Sequence, residues 1–393
     1  MLDRTRIAAD TPAAARGVFL DSAGSSLPPA PVVDAVVGHL RREAEVGGYR
    51  AAEERAADLD RVRASVGALL GAPADSIALL DSATRAWTQF FYSVPLRPGD
   101  RILLSGVEYA SNAVAAIQRA RASGATVEFV PSDAAGALDP AALAAMLDDR
   151  VRLVSVVHVP TNGGLVNPVR EVSDLAHRYG ALVLLDACQS VGQLRVDVGE
   201  LGVDALSLTG RKWLRGPRGT GALYVRGAVA DALEPVTIDL HSAEWTGRDD
   251  YRLWPGARRF ELWESGVADR LGLGAAADYL LDLGVDAVEA AVRAGADTLR
   301  GLLGGIAGVT VRDLGHRRSG IVAFTVDGRD PAAVRAALRE RDITVTVSTR
   351  SGTLVDMDAR GLPAVVRASP HYFVGPEQIE AAAAAVADIA AGR

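Results

Sequence analysis

Lysine is nearly missing from this chain. Of its 42 basic residues one is a lysine, Lys212, and the other 41 are arginines. The accompanying excess of alanine and glycine points to a GC-rich coding sequence, which favours arginine over lysine. That bias accounts for the arginines and leaves the survival of one lysine unexplained. Cysteine is as scarce. Cys188 is the single one, so an internal disulfide and a cysteine-based metal cluster are both excluded. No uncharged apolar run reaches the roughly 18 residues that a membrane span needs. A basic surplus is missing too: the formal charge is −7, the wrong sign for a protein that tracks phosphate backbones. The first residues, MLDRTRIAADTPAAARG, lack the apolar stretch of a secretory signal, and a cytoplasmic location is expected. What remains is ordinary for a soluble globular protein, with 49% hydrophobic and 23% charged residues. At 393 residues the chain can build a large core and two domains.

From about residue 50 to 270, short apolar runs alternate with helical stretches. Strands are expected at 77–80, 101–104, 126–130, 153–159, 181–186, 204–208 and 221–225. Several are almost continuously apolar, as in strands covered on both faces. Helix-like segments at 112–122, 140–147 and 169–179 lie between them. Such alternation predicts an α/β domain with a mostly parallel sheet. The rhythm then changes. Residues 271–303 are expected to be mostly helical and to bridge to a smaller α+β unit. Strands at 309–312, 321–326, 343–347 and 365–368, with helices at 331–341 and 377–391, would compose that unit. The expected division is a large domain over 26–270 and a small domain from 1–25 and 271–393. Residues 39–54, HLRREAEVGGYRAAEE, read as an amphipathic helix broken at the Gly-Gly pair.

Lys212 lies in LTGRKWLRGPRGTG, between Arg211 and Arg215 and among Gly210, Gly216, Gly219 and Gly221. An amine that forms an imine must lose its proton near neutral pH, and burial beside cations makes this possible. Glycines let backbone approach a ligand, and exposed amides suit an anion. Such a loop alone also describes a plain surface turn. Asp186 ends the apolar run ALVLLD, 26 residues before Lys212, where open α/β sheets bind ligands. A buried carboxylate there needs a cationic partner. A protonated pyridine nitrogen is one, although an acid after a strand can equally cap a helix. Gln189 could donate to a ring hydroxyl oxygen. DSATRAW, residues 81–87, follows another short strand and opens a helix. Its first amides, at Ala83 and Thr84, are candidates for a phosphate, and the same pattern is an ordinary capping signal.

DACQSVG followed by VDALSLTGRKWLRGPRGTGALYV resembles the class V aminotransferase family of fold type I, which includes cysteine desulfurases. FLDSAGSSLP, VEYASN, HVPTNGGLVNPV, RRFELWESGVADRLGLGAA and VVRASPHYF are similar to further family landmarks, in family order. The resemblance implies pyridoxal 5′-phosphate as cofactor and a homodimer with its active site at the subunit interface. It implies that Lys212 joins the cofactor aldehyde and later shuttles protons. Asp186 would pair with the ring nitrogen, and Gln189 would meet the ring hydroxyl. Ala83, Thr84, Thr209 and Arg211 would bind the phosphate, and Tyr109 would stack on the ring where many relatives have His. Thr161 falls where desulfurases carry an Asn. Ala23, Asn162, Arg350 and Arg367 would face the substrate, with Arg367 gripping its carboxylate.

Two departures from the family pattern bear on the reaction. The mobile cysteine that takes up sulfur as a persulfide in desulfurases aligns in VTVSTRSGTLVDM with Thr353. A hydroxyl cannot form a persulfide, and Cys188 lies in the cofactor turn. Glu264 stands where relatives often place a phosphate-binding Thr from the partner subunit, so Ser265 or a backbone amide is expected to serve instead. Residues 39–54 are similar to a segment of ergothioneine-pathway C–S lyases. The expected reaction is therefore β-elimination from an S-substituted cysteine, in thiol metabolism or antibiotic biosynthesis. An aminotransferase, an epimerase of the isopenicillin N type, a decarboxylating deaminase and a non-catalytic binding module of the same fold are the alternatives. Residues 241–258, rich in Trp, Tyr and Arg, are expected to line the entrance or to pack on the partner subunit.

Overall fold

The computed structural model describes residues 2–393. Its centre is a seven-stranded sheet in the order 77–80, 221–225, 205–209, 182–186, 151–157, 101–105, 126–130. Strand 221–225 runs antiparallel to both neighbours, and the remaining pairs are parallel. Six strands therefore point the same way. Parallel neighbours need long crossovers, and helices Ala83–Ser93, Ala110–Ser123, Pro140–Met146 and Val169–His177 lie along those connections.

Burial on both faces explains the apolar runs. Ala78, Leu80, Ile102, Leu104 and Leu223 turn to one side, where Trp87, Phe90, Phe91 and Phe260 cover them. The rings of Trp87 and Phe91 stack there at 4.5 Å. Ile77, Leu79, Leu103, Leu185 and Leu206 turn to the other side, into the larger core. Helix Val267–Leu283 packs there against helices Ala30–Val46 and Ala56–Leu70.

Gly284, at φ 84°, separates that helix from Val285–Gly304. An antiparallel four-stranded sheet follows, in the order 309–311, 322–326, 364–368, 346–349. The single strand expected over 343–347 is two. Ile343–Thr344 pairs in parallel with Val18–Phe19, whereas Thr346–Thr349 joins the small sheet. The N-terminal segment thus captures the first half of the run, a long-range pairing that no local pattern announces. Residues 241–258 contain a hairpin, Ala243–Gly247 with Asp250–Leu253. The break in 39–54 falls at Gly47, whose φ of 85° ends helix Ala30–Val46 before Gly48–Glu54 begins. No described helix is long and apolar enough to cross a membrane.

Candidate active site

Because six strands share a direction, their carboxyl ends meet at one edge of the sheet. The loops after Leu80, Ser105, Val157, Asp186 and Thr209 enclose an open cavity of about 110 Å³. Thr84, Tyr109, Thr161, Asp186, Gln189, Thr209, Arg211 and Lys212 line it, with Ser82, Ala83 and Cys188. One cavity thus gathers side chains that are up to 130 positions apart in sequence.

Lys212 looks into this cavity, with protein around the rest of its stem. Burial lowers the affinity of its amine for a proton, and Arg211 and Arg367 push the same way against the pull of Cys188 and Asp186. These are the conditions under which an amine becomes a nucleophile. The chain turns sharply just beyond it. Arg215 is at φ 63°, a costly conformation for a residue with a side chain. Its guanidinium is tied to the Leu27 carbonyl, the Tyr372 hydroxyl and the Thr11 hydroxyl at 2.6–2.7 Å. Those contacts clamp the lysine loop between the N-terminal segment and the turn that follows strand 364–368.

Asp186 ends its strand and is buried. Its Oδ1 accepts from the Cys188 backbone N–H at 2.9 Å, and its Oδ2 accepts from Asn112 Nδ2 at 3.0 Å. Gln189 Oε1 accepts from the Trp213 indole N–H at 2.9 Å, and Gln189 Nε2 donates to the Ala23 carbonyl at 3.0 Å. Helix Ala83–Ser93 starts at the rim. Ser82 caps it by accepting from the Arg85 N–H at 3.2 Å, which leaves the Ala83 and Thr84 amides without that cap. A Cβ on Gly221 would lie 2.6 Å from the Ser82 carbonyl carbon, so only glycine lets strand and helix start meet. A helix N-terminus, a basic loop, a deep amine and a buried acid surround one space. That donor set fits a phosphorylated pyridine aldehyde: anion at the amides, ring nitrogen at the acid, aldehyde at the amine.

Arg367 is buried beside this space. Its Nη1 donates to Thr161 Oγ1 at 2.8 Å and its Nη2 to Asp21 Oδ1 at 3.1 Å, while its Nε finds no partner among the described residues. The other substrate-facing candidates are not at the cavity wall. Ala23 reaches it only through its carbonyl on Gln189. Asn162 is spent on Asp356, at 2.6 Å. Arg350 is on the surface, paired with Asp358. Thr353 is buried, and its hydroxyl has no partner among the described residues. Glu264 is exposed. Tyr109 is 39% exposed at the start of helix Ala110–Ser123 and turns towards the cavity. Arg211 also extends a hydrogen bond to the Gly24 carbonyl.

Four residues around the site were not expected from the sequence. Asp21 occupies Arg367, and Trp213 orients Gln189. Glu108 and Asn112 stand behind Asp186: Asn112 Nδ2 also donates to Glu108 Oε1 at 2.9 Å. Their i, i+4 spacing in VEYASN, across a helix start, was the available signal. Burial, with Asp186 nearby, pushes the Glu108 carboxyl up to about 7.

A doubly covered, mostly parallel sheet with a buried lysine amine at its carboxyl edge defines the class of protein, a fold type I enzyme. The class V aminotransferase model matches residues 18–381, and the chain belongs to that family. Pyridoxal phosphate is its cofactor. Relatives include a probable cysteine desulfurase of Methanothermobacter thermautotrophicus, 29% identical over 94% of each chain. A cysteine desulfurase of Dickeya dadantii is 32% identical over 95% of this chain and 94% of its own. The Escherichia coli cysteine desulfurase CsdA superposes with a TM-score of 0.92 at 24% identity, covering 100% of this chain and 99% of its own. The cystine C–S lyase C-DES, solved with its reaction product cysteine persulfide, gives 0.87 at 25% identity, covering 96% and 99%.

Proposed function

We propose that this protein is a C–S lyase that cleaves an S-substituted cysteine by β-elimination. With one water, the substrate yields a thiol, pyruvate and ammonia. The observation that carries this reading is the absence of a sulfur acceptor. Thr353 stands at the position aligned with the persulfide cysteine and is buried. The segment after it is tied down through Asn162 and Asp356. Cys188 cannot substitute, because burial and the neighbouring Asp186 push its thiol well above the ordinary range, away from the reactive thiolate. The relatives named as desulfurases and the likeness to a cystine lyase favour a cysteine-derived substrate.

Pyridoxal phosphate, when bound, withdraws electrons from the substrate's α-carbon. In this reading the residues divide the remaining work. The Lys212 amine holds the cofactor and then moves the α-proton. Asp186 keeps the ring nitrogen charged, and Gln189 meets the ring hydroxyl. Tyr109 covers the ring face. The Ala83 and Thr84 amides, Thr209 and Arg211 take the phosphate, and Arg367 takes the substrate carboxylate. A second subunit, in this reading, completes the site near Glu264 and Ser265.

Incubating the cofactor-loaded enzyme with a panel of cysteine S-conjugates tests the proposal. Pyruvate and free thiol should appear together with at least one conjugate. Pyridoxamine formation would favour an aminotransferase instead, and exchange of the α-hydrogen without breakdown an epimerase. Either result, with no pyruvate, would overturn elimination.

A further inference from the structure

The proposed chemistry uses one buried acid, Asp186, yet a second stands directly behind it. Glu108 is 4% exposed and sits just before helix Ala110–Ser123. Every hydrogen bond recorded to its carboxyl comes from a neutral donor. Oε1 accepts from the Asn112 side chain at 2.9 Å and from the Tyr109 backbone N–H at 3.1 Å. Oε2 accepts from the Ser155 hydroxyl at 3.2 Å and, more weakly, from the Ser105 hydroxyl at 3.4 Å. No cation pairs with Glu108 among the described residues, and the charged group that faces it is Asp186, at the end of strand 182–186 across the intervening strand 151–157. A buried carboxyl without a cation is costly, and a mere spacer would be better served by a neutral side chain.

Asn112 explains the arrangement. Its single NH₂ group has two hydrogens, and it spends one on Glu108 Oε1 and one on Asp186 Oδ2 at 3.0 Å. An ionised carboxylate can only accept, so with both acids ionised the orientation of the Asn112 amide is settled by them. Rotation of Asp186 is thereby blocked. Its Oδ1 is held by the Cys188 N–H, so both oxygens are pinned while each keeps a lone pair free. Glu108 also anchors the backbone of Tyr109, the residue proposed to cover the ring. One carboxyl therefore organises two contacts of the same ring.

We infer that Glu108 is a positioning residue for the cofactor ring, which through Asn112 fixes Asp186 and adds negative charge behind it. The consequence is electrostatic as well as steric. An ionised Glu108 raises the negative potential at the ring nitrogen and favours its protonated form, the form that withdraws electrons best. A protonated Glu108 weakens that hold. Because burial leaves Glu108 titrating near neutrality, the electron-withdrawing strength of the ring becomes sensitive to pH in the working range.

The inference rests on the proposed seating of the ring nitrogen at Asp186, and the test separates the two. Holoenzyme is prepared with cofactor labelled with nitrogen-15 in the ring, and the ring-nitrogen resonance is followed with pH. Glu108→Gln keeps the shape and an acceptor for Asn112 while removing the charge. The ring-nitrogen titration should move to lower pH by about one unit or more, with the cofactor still bound and the melting temperature little changed. A loss of packing alone would not move that resonance. Asp186→Asn is the control: if it leaves the resonance unmoved, the seating at Asp186 is wrong and the inference falls with it. If Asp186→Asn moves the resonance and Glu108→Gln does not, the inference alone is overturned. Should Glu108→Gln fail to fold, the native holoenzyme carries the test. Its ring-nitrogen resonance should inflect near neutral pH together with the carbon-13 signal of the Glu108 carboxyl, and a flat profile would refute the role.

Discussion

The indole N–H of Trp213 donates to Oε1 of Gln189 at 2.9 Å. An indole nitrogen can only donate, so the amide of Gln189 has one permitted orientation, with its NH₂ group towards Ala23 and the cavity. The residue after the lysine thus makes Gln189 present a donor where the ring hydroxyl is proposed to lie. Trp213→Phe keeps the apolar body and removes the N–H. It should weaken cofactor binding by about 1 kcal/mol, the worth of one buried hydrogen bond. Titration of the apoenzyme with cofactor measures this, and an unchanged affinity would remove Trp213 from the argument.

Lys212 should carry the cofactor covalently. Reduction with borohydride followed by peptide mapping is expected to label residue 212 and no other. Lys212→Ala should lose that label and nearly all turnover. Near-native activity in this variant would exclude the amine from the mechanism.

Arg367 is expected to govern substrate capture. Its guanidinium is held by Thr161 and Asp21, and a charge-assisted pair with a carboxylate in such a buried place is worth about 2–5 kcal/mol. Arg367→Ala should raise KM strongly, and Arg367→Lys should not restore it, because an ammonium lacks the planar fork. An unchanged KM would contradict the assignment.

Acid should unfold the protein in two stages. Burial lowers the His158 and His371 imidazoles to about 3 from their ordinary 6.5. The unfolded chain therefore binds more protons, and stability falls as pH drops from about 6.5 towards 3. Glu261 is held down to about 2: burial opposes this, but His241 and Arg63 more than offset it. Its contribution is complete above about 4.5 and disappears between 4.5 and 2. Each group adds a slope of about 1.4 kcal/mol per pH unit within its window. A melting temperature that stays flat from pH 6.5 to 4.5 would refute the histidine stage.

Most of the fold was legible in the sequence. The strands at 77–80 and 221–225 have the expected limits, because apolar runs buried on both faces carry their own signature, and the half-buried edge strand 126–130 also has its expected limits. The hairpin at 243–253 was not read as strands. Its side chains are mostly exposed, with Trp245 at 82%, so no alternation of burial marks it. Asn162 and Arg350 were expected to face the substrate and instead bind Asp356 and Asp358. Those partners lie in or beside helix Leu354–Ala359, whose docking onto the 160–164 loop is a tertiary event.

By itself the sequence determined the alternation of strand and helix, and it marked Lys212 through the rarity of its type. These are local properties, since periodicity and residue chemistry survive without a neighbour. Only the tertiary structure decided that Glu108, Asn112 and Asp186 share one amide, that Trp213 aligns Gln189, and that Asp21 claims Arg367. Such pairings depend on which strand ends meet at the sheet edge, and the direction of a buried side chain follows from packing among segments that lie far apart in the chain.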